Sequence, residues 1–225
     1  NASMDSAFVF VLDTLAPIIQ ANSDTVYLDT SGQYVLDYAT LDAGTMDACS
    51  ISAMYLSDSI FDCSNVDTVV NIWYIAIDSF GNSDSIQVGI RVEDTINPEI
   101  LCPDSIVVNN DTGLCGAIVS FSWPSASDNC SIDTMTQIDT TGLDSGMIFP
   151  VGVTELSYVV FDQSGNTDTC SFTIEVIDTE APTLLCMADT SICDSIFIYA
   201  LPQVLDNCSG LDVNLISGIA SGDPY

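Results

Sequence analysis

One five-residue pattern recurs through the chain. Asp13-Thr14-Leu15-Ala16-Pro17 returns as Asp94-Thr95-Ile96-Asn97-Pro98 and as Asp178-Thr179-Glu180-Ala181-Pro182, with intervals of 81 and 84 residues. Self-similarity at so long a period restricts a chain to a series of small modules, each closing its own core. Two further elements keep step with it. The turns Asp78-Ser79-Phe80-Gly81-Asn82 and Asp162-Gln163-Ser164-Gly165-Asn166 each begin 16 residues before the next copy. A cysteine element follows each start, as Asp47-Ala48-Cys49-Ser50, Asp128-Asn129-Cys130-Ser131 and Asp206-Asn207-Cys208-Ser209.

These markers predict repeats at 13–93 and 94–177, with residues 178–225 as the first half of a further repeat. Residues 1–12 match the segment that precedes each later copy, so they read as the last strand of a preceding repeat. The expectation is a piece of a longer array. Inside a repeat the periodicity is two: Ile86, Val88, Ile90 and Val92 alternate with Gln87, Gly89, Arg91 and Glu93. The sets Ile72-Tyr74-Ala76 and Leu156-Tyr158-Val160 give the strand before each turn. No stretch sustains a 3.6-residue period. The predicted class is all-β, as tandem immunoglobulin-like antiparallel β-sandwich domains in a linear array.

Charge narrows the function. Against 32 acidic residues stands one basic residue, Arg91, for a net charge of −31. Nucleic acid and anionic membrane both require Lys and Arg, so neither is expected as a partner. The absence of His and Lys excludes Ser-His-Asp catalysis, His-ligated zinc, Schiff-base chemistry and a P-loop. Paired carboxylates are inevitable among so many acids, and a small sandwich offers no deep cleft for glycosidase chemistry. No enzyme is expected. At 48% hydrophobic residues the chain can still build cores.

The nine cysteines fall two, four and three to the repeats, and an extracellular disulfide framework is the expectation. Four cysteines in the middle repeat allow three connectivities. Placing Cys130 before the third strand and Cys170 at the start of the last, at one pole, predicts Cys130–Cys170 and Cys102–Cys115. Cys49–Cys63 and Cys186–Cys193 follow in the flanking repeats, and Cys208 awaits a partner beyond Tyr225. The same pole would gather Asp94, Asp128, Asn129, Asp162 and Asn166, and earlier Asp13, Asp47, Asp78 and Asn82. Acids converging from a linker and two loops suit calcium, a hard cation taking six to eight oxygens. The competing role for such an Asp is to cap its own turn.

The middle repeat resembles a known family. Ile100-Leu101-Cys102-Pro103, Gly113-Leu114-Cys115-Gly116-Ala117, Asp128-Asn129-Cys130-Ser131, Phe149-Pro150-Val151-Gly152-Val153-Thr154 and Cys170-Ser171-Phe172 are similar to the hyalin repeat. That resemblance implies an immunoglobulin-like module of extracellular adhesive proteins, frequent in large surface proteins of Bacteroidetes, and adhesion or spacing as its role. Residues 13–93 share the linker, the cysteine element and the turn but lack the first two cysteines.

Asp outnumbers Glu 27 to 5, and most Asp residues precede Ser or Thr. The triplet Asp-Ser/Thr-apolar resembles a Bacteroidetes O-glycosylation acceptor, which predicts glycans on Ser6, Thr14, Thr25, Ser59, Thr68, Ser85, Thr95, Ser105, Thr134, Thr140 and Ser195. A last expectation concerns association. Phe8, Phe10 and Leu12, like Trp73, Ile75 and Ile77, occupy the outward positions of their strands, and such a surplus predicts lateral or filament assembly with copies of the chain. Together these features predict a secreted, non-enzymatic stalk of a surface adhesin, disulfide-braced and O-glycosylated. Any ligand would bind through domains outside this segment. The competing readings are an accessory module of a polysaccharide-degrading enzyme, a strand-donating pilin-like subunit, and a segment that itself binds carbohydrate through exposed aromatics.

Overall fold

A computed structural model describes residues 12–186, 202–218 and 221–222. They are strands joined by short turns, with one helical turn at Tyr38–Leu41 and one 3₁₀ turn at Cys63–Asn65. The strands of the first frame are β1 (Asp24–Tyr27), β2 (Gln33–Val35), β3 (Ile51–Leu56), β4 (Ile60–Asp62), β5 (Val69–Asp78) and β6 (Ser83–Glu93). Those of the second are β7 (Glu99–Leu101), β8 (Ile106–Asn109), β9 (Gly116–Ile118), β10 (Ser125–Ser127), β11 (Ile132–Gln137), β12 (Ile148–Pro150), β13 (Gly152–Asp162) and β14 (Thr167–Ile177). After them come β15 (Thr183–Leu185) and β16 (Gln203–Leu205).

The chain divides into two compact units. One holds the stretch ending at Ile100 together with Ala126–Met135 and Val160–Asp168; the other holds Leu101–Ser125, Thr136–Val159 and the stretch from Thr169. In the first unit a sheet runs β1-β6-β5-β3 beside the pair β2-β4. Period-two patterning decides its faces. β5 pairs with β6 so that Ile72 lies opposite Val88 and Tyr74 opposite Ile86. Ile72, Tyr74, Ala76, Val88, Ile90 and Val92 turn inward and are buried. Leu36 beside β2 and Phe61 of β4 close the same core with Val26 and Leu41. Side chains of this size contribute roughly 1.5–3 kcal/mol each when fully buried.

The second unit centres on aromatic rings. Phe121 packs edge-on to Phe172 at 5.1 Å and to Phe149 at 6.2 Å, while Tyr158 stacks on Phe172 at 6.3 Å. Such pairs add about 0.5–1.5 kcal/mol each beyond area burial. Leu156, Tyr158, Ile174 and Val176 supply the inward row of β13 and β14.

The all-antiparallel expectation is corrected at one edge. β1 runs parallel to β6, with Val26 opposite Val92, and β8 runs parallel to β14, with Val108 opposite Val176. The entering chain lies beside the last strand of its own frame and travels with it, a placement that alternation alone does not encode.

Candidate metal centre

Each centre grows from a turn. At the end of β5, one oxygen of Asp78 accepts the N–H groups of Phe80 and Asn82, both at 2.8 Å, and the other accepts Asn82 Nδ2 at 2.7 Å. Gly81 makes the turn possible at φ +91°, a left-handed geometry that a side chain would strain. Burial opposes the negative charge on Asp78, but these donors outweigh it and hold the carboxyl below its ordinary range. Asn82 Nδ2 also donates to the carbonyl of Asp13 at 3.2 Å, which draws in the linker. The turn at Asp162 repeats the design: Asn166 N at 2.8 Å, Asn166 Nδ2 at 2.7 Å, and Nδ2 onto the carbonyl of Asp94 at 3.2 Å.

The linker and the cysteine element are clamped likewise. Asp13 accepts Leu15 N, Asp47 accepts Cys49 N, and Asp94 accepts Ile96 N and Asn129 Nδ2. Asp128 Oδ2 accepts the N–H groups of Cys130 and Ser131 at 2.9 and 3.1 Å. Each clamp occupies part of an acid and aims the rest at its neighbours.

The result is two sets of three carboxylates, Asp13-Asp47-Asp78 and Asp94-Asp128-Asp162, with their ligand atoms within 4.8 Å of one another. Both sets lie within the first unit. Asp94 is 5% exposed and Asp162 3%. Asp94 Oδ2, Asp128 Oδ1, Asn129 Oδ1 and Asp13 Oδ2 are buried with no hydrogen-bond partner. A buried carboxylate oxygen without a donor is costly, and three negative groups at this range repel. An all-oxygen set of this kind fits a hard divalent cation of calcium's size. In the second unit Asp178 and Asp206 lie together beside Cys208. Asn82 and Asn166, expected among the ligands, use Nδ2 to fasten turn to linker.

Three of the four predicted disulfides are corrected. Cys63 bonds Cys130, Cys102 bonds Cys170, and Cys115 bonds Cys208, while Cys49 and Cys186 are free and exposed. Cys130–Cys170, Cys102–Cys115 and Cys49–Cys63 do not form. The fourth predicted pair, Cys186–Cys193, involves a residue outside the described ones, and Cys186 has no bond among the described residues. The physical reason is reach, since a disulfide needs Cα atoms within about 7 Å. Cys170 sits inside β14 and meets Cys102, just past β7, with Cα atoms 5.8 Å apart. Cys130 instead meets the end of β4, with Cα atoms 5.4 Å apart. Gly32 makes room there: a Cβ on it would stand 2.6 Å from the carbonyl oxygen of Asn129 and 2.7 Å from Cys63 Sγ. The Cys49 thiol is pushed above its ordinary pKa, first by the neighbouring Asp13 carboxylate and then by partial desolvation and the charges of Asp47 and Asp78.

Among the hydroxyls expected to carry glycans, Thr14, Thr68, Ser85, Thr95, Ser105, Thr134 and Thr140 are exposed, and Thr25 and Ser59 are half-buried. Ser6 and Ser195 lie outside the described residues, as do Phe8 and Phe10. Of the remaining outward apolar residues, Leu12 and Trp73 are exposed and Ile75 and Ile77 half-buried.

Comparison with known proteins places these features. The HYR domain profile matches residues 93–176. The hyalin of Lytechinus variegatus is 32% identical over 225 residues, covering 95% of this chain and 40% of that protein. The hyalin of Strongylocentrotus purpuratus is 34% identical over 119 residues, 51% of this chain and 10% of its own length. The chain thus spans less than half of either. A protocadherin gamma B7 structure covers 87% of this chain and 60% of its own at 17% identity and a TM-score of 0.37, too low to bear on the argument. With the profile match and the two hyalins in agreement, residues 93–176 carry a hyalin-repeat domain of the HYR type.

Proposed function

We propose that this chain is an extracellular, non-enzymatic adhesive spacer, built of tandem immunoglobulin-like sandwiches at 13–93 and 94–177 with part of another at 178–225. Calcium and disulfides lock its junctions. The observation that carries this reading is the Asp94-Asp128-Asp162 cluster, with its buried unpartnered oxygens beside the Cys63–Cys130 bond. Calcium satisfies those oxygens and fixes the linker onto two loops. The disulfide holds the same place covalently. An extended array results, in which repulsion among the faces of a chain of charge −31 opposes collapse.

Three disulfides and the match to hyalins support an oxidising, extracellular setting. The hyalins are animal proteins, so a Bacteroidetes-type surface adhesin rests on the Asp-Ser/Thr-apolar triplets alone. Seven of the nine described acceptor hydroxyls are exposed, as glycan attachment requires. Lateral assembly rests on the outward row at Trp73. Isothermal titration of the 225-residue chain with calcium tests the central claim: heat from more than one site is expected, and no binding at millimolar calcium overturns it. Intact mass of the secreted chain tests the glycans, since a value at the bare 23.9 kDa ends that part.

A further inference from the structure

Two cysteines of the Asp-x-Cys-Ser element reach back across the sequence frame. Cys130 of the second frame bonds Cys63 of the first, and Cys208 of the third bonds Cys115 of the second. Each is set by the same local clamp: Cys130 N donates to Asp128 at 2.9 Å and Cys208 N to Asp206 at 2.9 Å. The neighbouring Asn fastens the same contact, Asn129 Nδ2 onto the carbonyl of Asp29 at 3.2 Å and Asn207 Nδ2 onto that of Leu114 at 2.9 Å. Cys49 occupies this position in the first frame. Its N–H donates to Asp47 at 2.8 Å, and its thiol is free and exposed.

The surroundings of Cys49 point the same way. In the second frame a hollow beside Cys130 is shared by Ile96, Ser127 and Asp128 with Thr30 of the first frame. The matching hollow beside Cys49 is lined by Leu15, Ile18 and Met46. These three side chains are 67%, 62% and 55% exposed, an apolar set at the place where the second frame receives its neighbour. A solvated apolar cluster beside a clamped thiol is a docking face rather than a lone cysteine.

We propose that Cys49 is the covalent attachment point of one more hyalin-type repeat, which docks on Leu15, Ile18 and Met46 and presents a cysteine as Cys63 and Cys115 do. The step joins two sulfurs. Cys49 and the partner thiol lose two protons and two electrons, and a disulfide oxidant takes them up to become two thiols. The inference rests on the extracellular reading only for that oxidising compartment. The partner repeat is the one N-terminal to this frame in the same polypeptide, because Cys63 and Cys115 each lie one frame before the cysteine they bond; a disulfide-linked dimer of two copies through Cys49 overturns the proposal.

The test maps disulfides in the protein as secreted by its own cells, alkylated before non-reducing digestion. The Cys49 peptide is expected to carry a cysteine peptide from another hyalin-type repeat, released by reductant and lost in Cys49→Ser, with Cys63–Cys130 intact in both. Met46→Asp is expected to lower the cross-linked fraction several-fold without touching Cys63–Cys130. An alkylated Cys49, a small-thiol cap, or a bond to Cys63 or Cys186 overturns the proposal, as does a cross-linked fraction unmoved by Met46→Asp. If all nine cysteines are alkylated, the extracellular reading falls as well; if Cys49 alone is, that reading stands.

Discussion

Replacing Asp94 with Asn separates the proposed metal-binding role of the cluster from a structural one. Asn keeps the Oδ1 acceptor used by Ile96 N and Asn129 Nδ2, and it puts an amide where the unpartnered Oδ2 stood. It also removes one charge from a set whose ligand atoms lie within 4.8 Å. At an effective dielectric constant of ~20, a like-charge pair at that range repels by roughly 3.5 kcal/mol. Asp94 takes part in two such pairs, and solvent at the half-buried Asp128 screens part of the sum. Without calcium, Asp94→Asn is therefore expected to stabilise the first unit by about 3 kcal/mol, near 10 °C in melting midpoint. With calcium the sign reverses, because the ion loses an anionic ligand. Saturation at a hundred times Kd stabilises the native chain by about 2.7 kcal/mol, and the variant loses most of that gain. Thermal unfolding followed by circular dichroism, in chelator and in millimolar calcium, reads both limbs. If the variant is destabilised in chelator, or if calcium raises both proteins equally, the reasoning is wrong.

Four further outcomes are expected. The double variant Cys63→Ser/Cys130→Ser opens a closed loop of 67 residues and should lower urea-unfolding stability by about 4 kcal/mol on the loop-entropy account. Gly32→Ala should cost more than the roughly 1 kcal/mol of a left-handed residue, because its Cβ meets the Asn129 carbonyl; a loss under that amount at pH 7 refutes the close approach. Asp139 has its carboxyl held down to about 2 although burial opposes the charge, because the Thr141 hydroxyl, Ser157 N–H and Gln137 amide donate to it. Its contribution, about 2 kcal/mol, is complete above pH ~4 and fades as pH falls toward 2, so Asp139→Ala should be costly at pH 7 and nearly neutral at pH 2 in denaturant titrations. Phe149→Ala, which empties a fully buried position against Phe121, should cost roughly 3–5 kcal/mol in the same assay.

Local physics was legible and long-range pairing was not. Alternation at Ile72-Tyr74-Ala76 and Leu156-Tyr158-Val160 predicted the inward faces, because a strand's period is set by its own backbone. The convergence of Asp94, Asp128 and Asp162 was legible because each sits at a fixed offset in the repeat. Part of the excess of Asp over Glu has a local cause as well: Asp24, Asp58, Asp62 and Asp84 each accept a backbone N–H one or two residues on, a reach that suits the shorter side chain. Disulfide pairing failed because it depends on which ends of different strands meet. The cysteine counts did not carry the pairing either: with two bonds crossing frames, Cys63–Cys130 and Cys115–Cys208, the odd cysteine moves from the last frame to the first, where Cys49 is free. Parallel entry of β1 and β8 was missed for the same reason, since direction relative to a distant strand leaves no mark on alternation.

On the proposed reading, the Asp-x-Cys-Ser element joins covalent and ionic locking in four residues. Asp128 Oδ2 accepts the N–H groups of Cys130 and Ser131, which fixes the turn and with it the direction of the Cys130 sulfur toward Cys63. The same geometry leaves Asp128 Oδ1 buried and unpartnered in the carboxylate cluster with Asp94 and Asp162. Between the two Asn129 spends its amide N–H groups on Asp94 and on the carbonyl of Asp29, while its own carbonyl lies against Gly32. A displacement of the sulfur therefore moves the carboxylate. The two locks share one backbone, so the free energy of closing the disulfide and that of binding a cation cannot be independent. With a cation bound as proposed, either lock, once made, would pre-organise the other, and a junction held by both would resist pulling better than the sum of two isolated contacts.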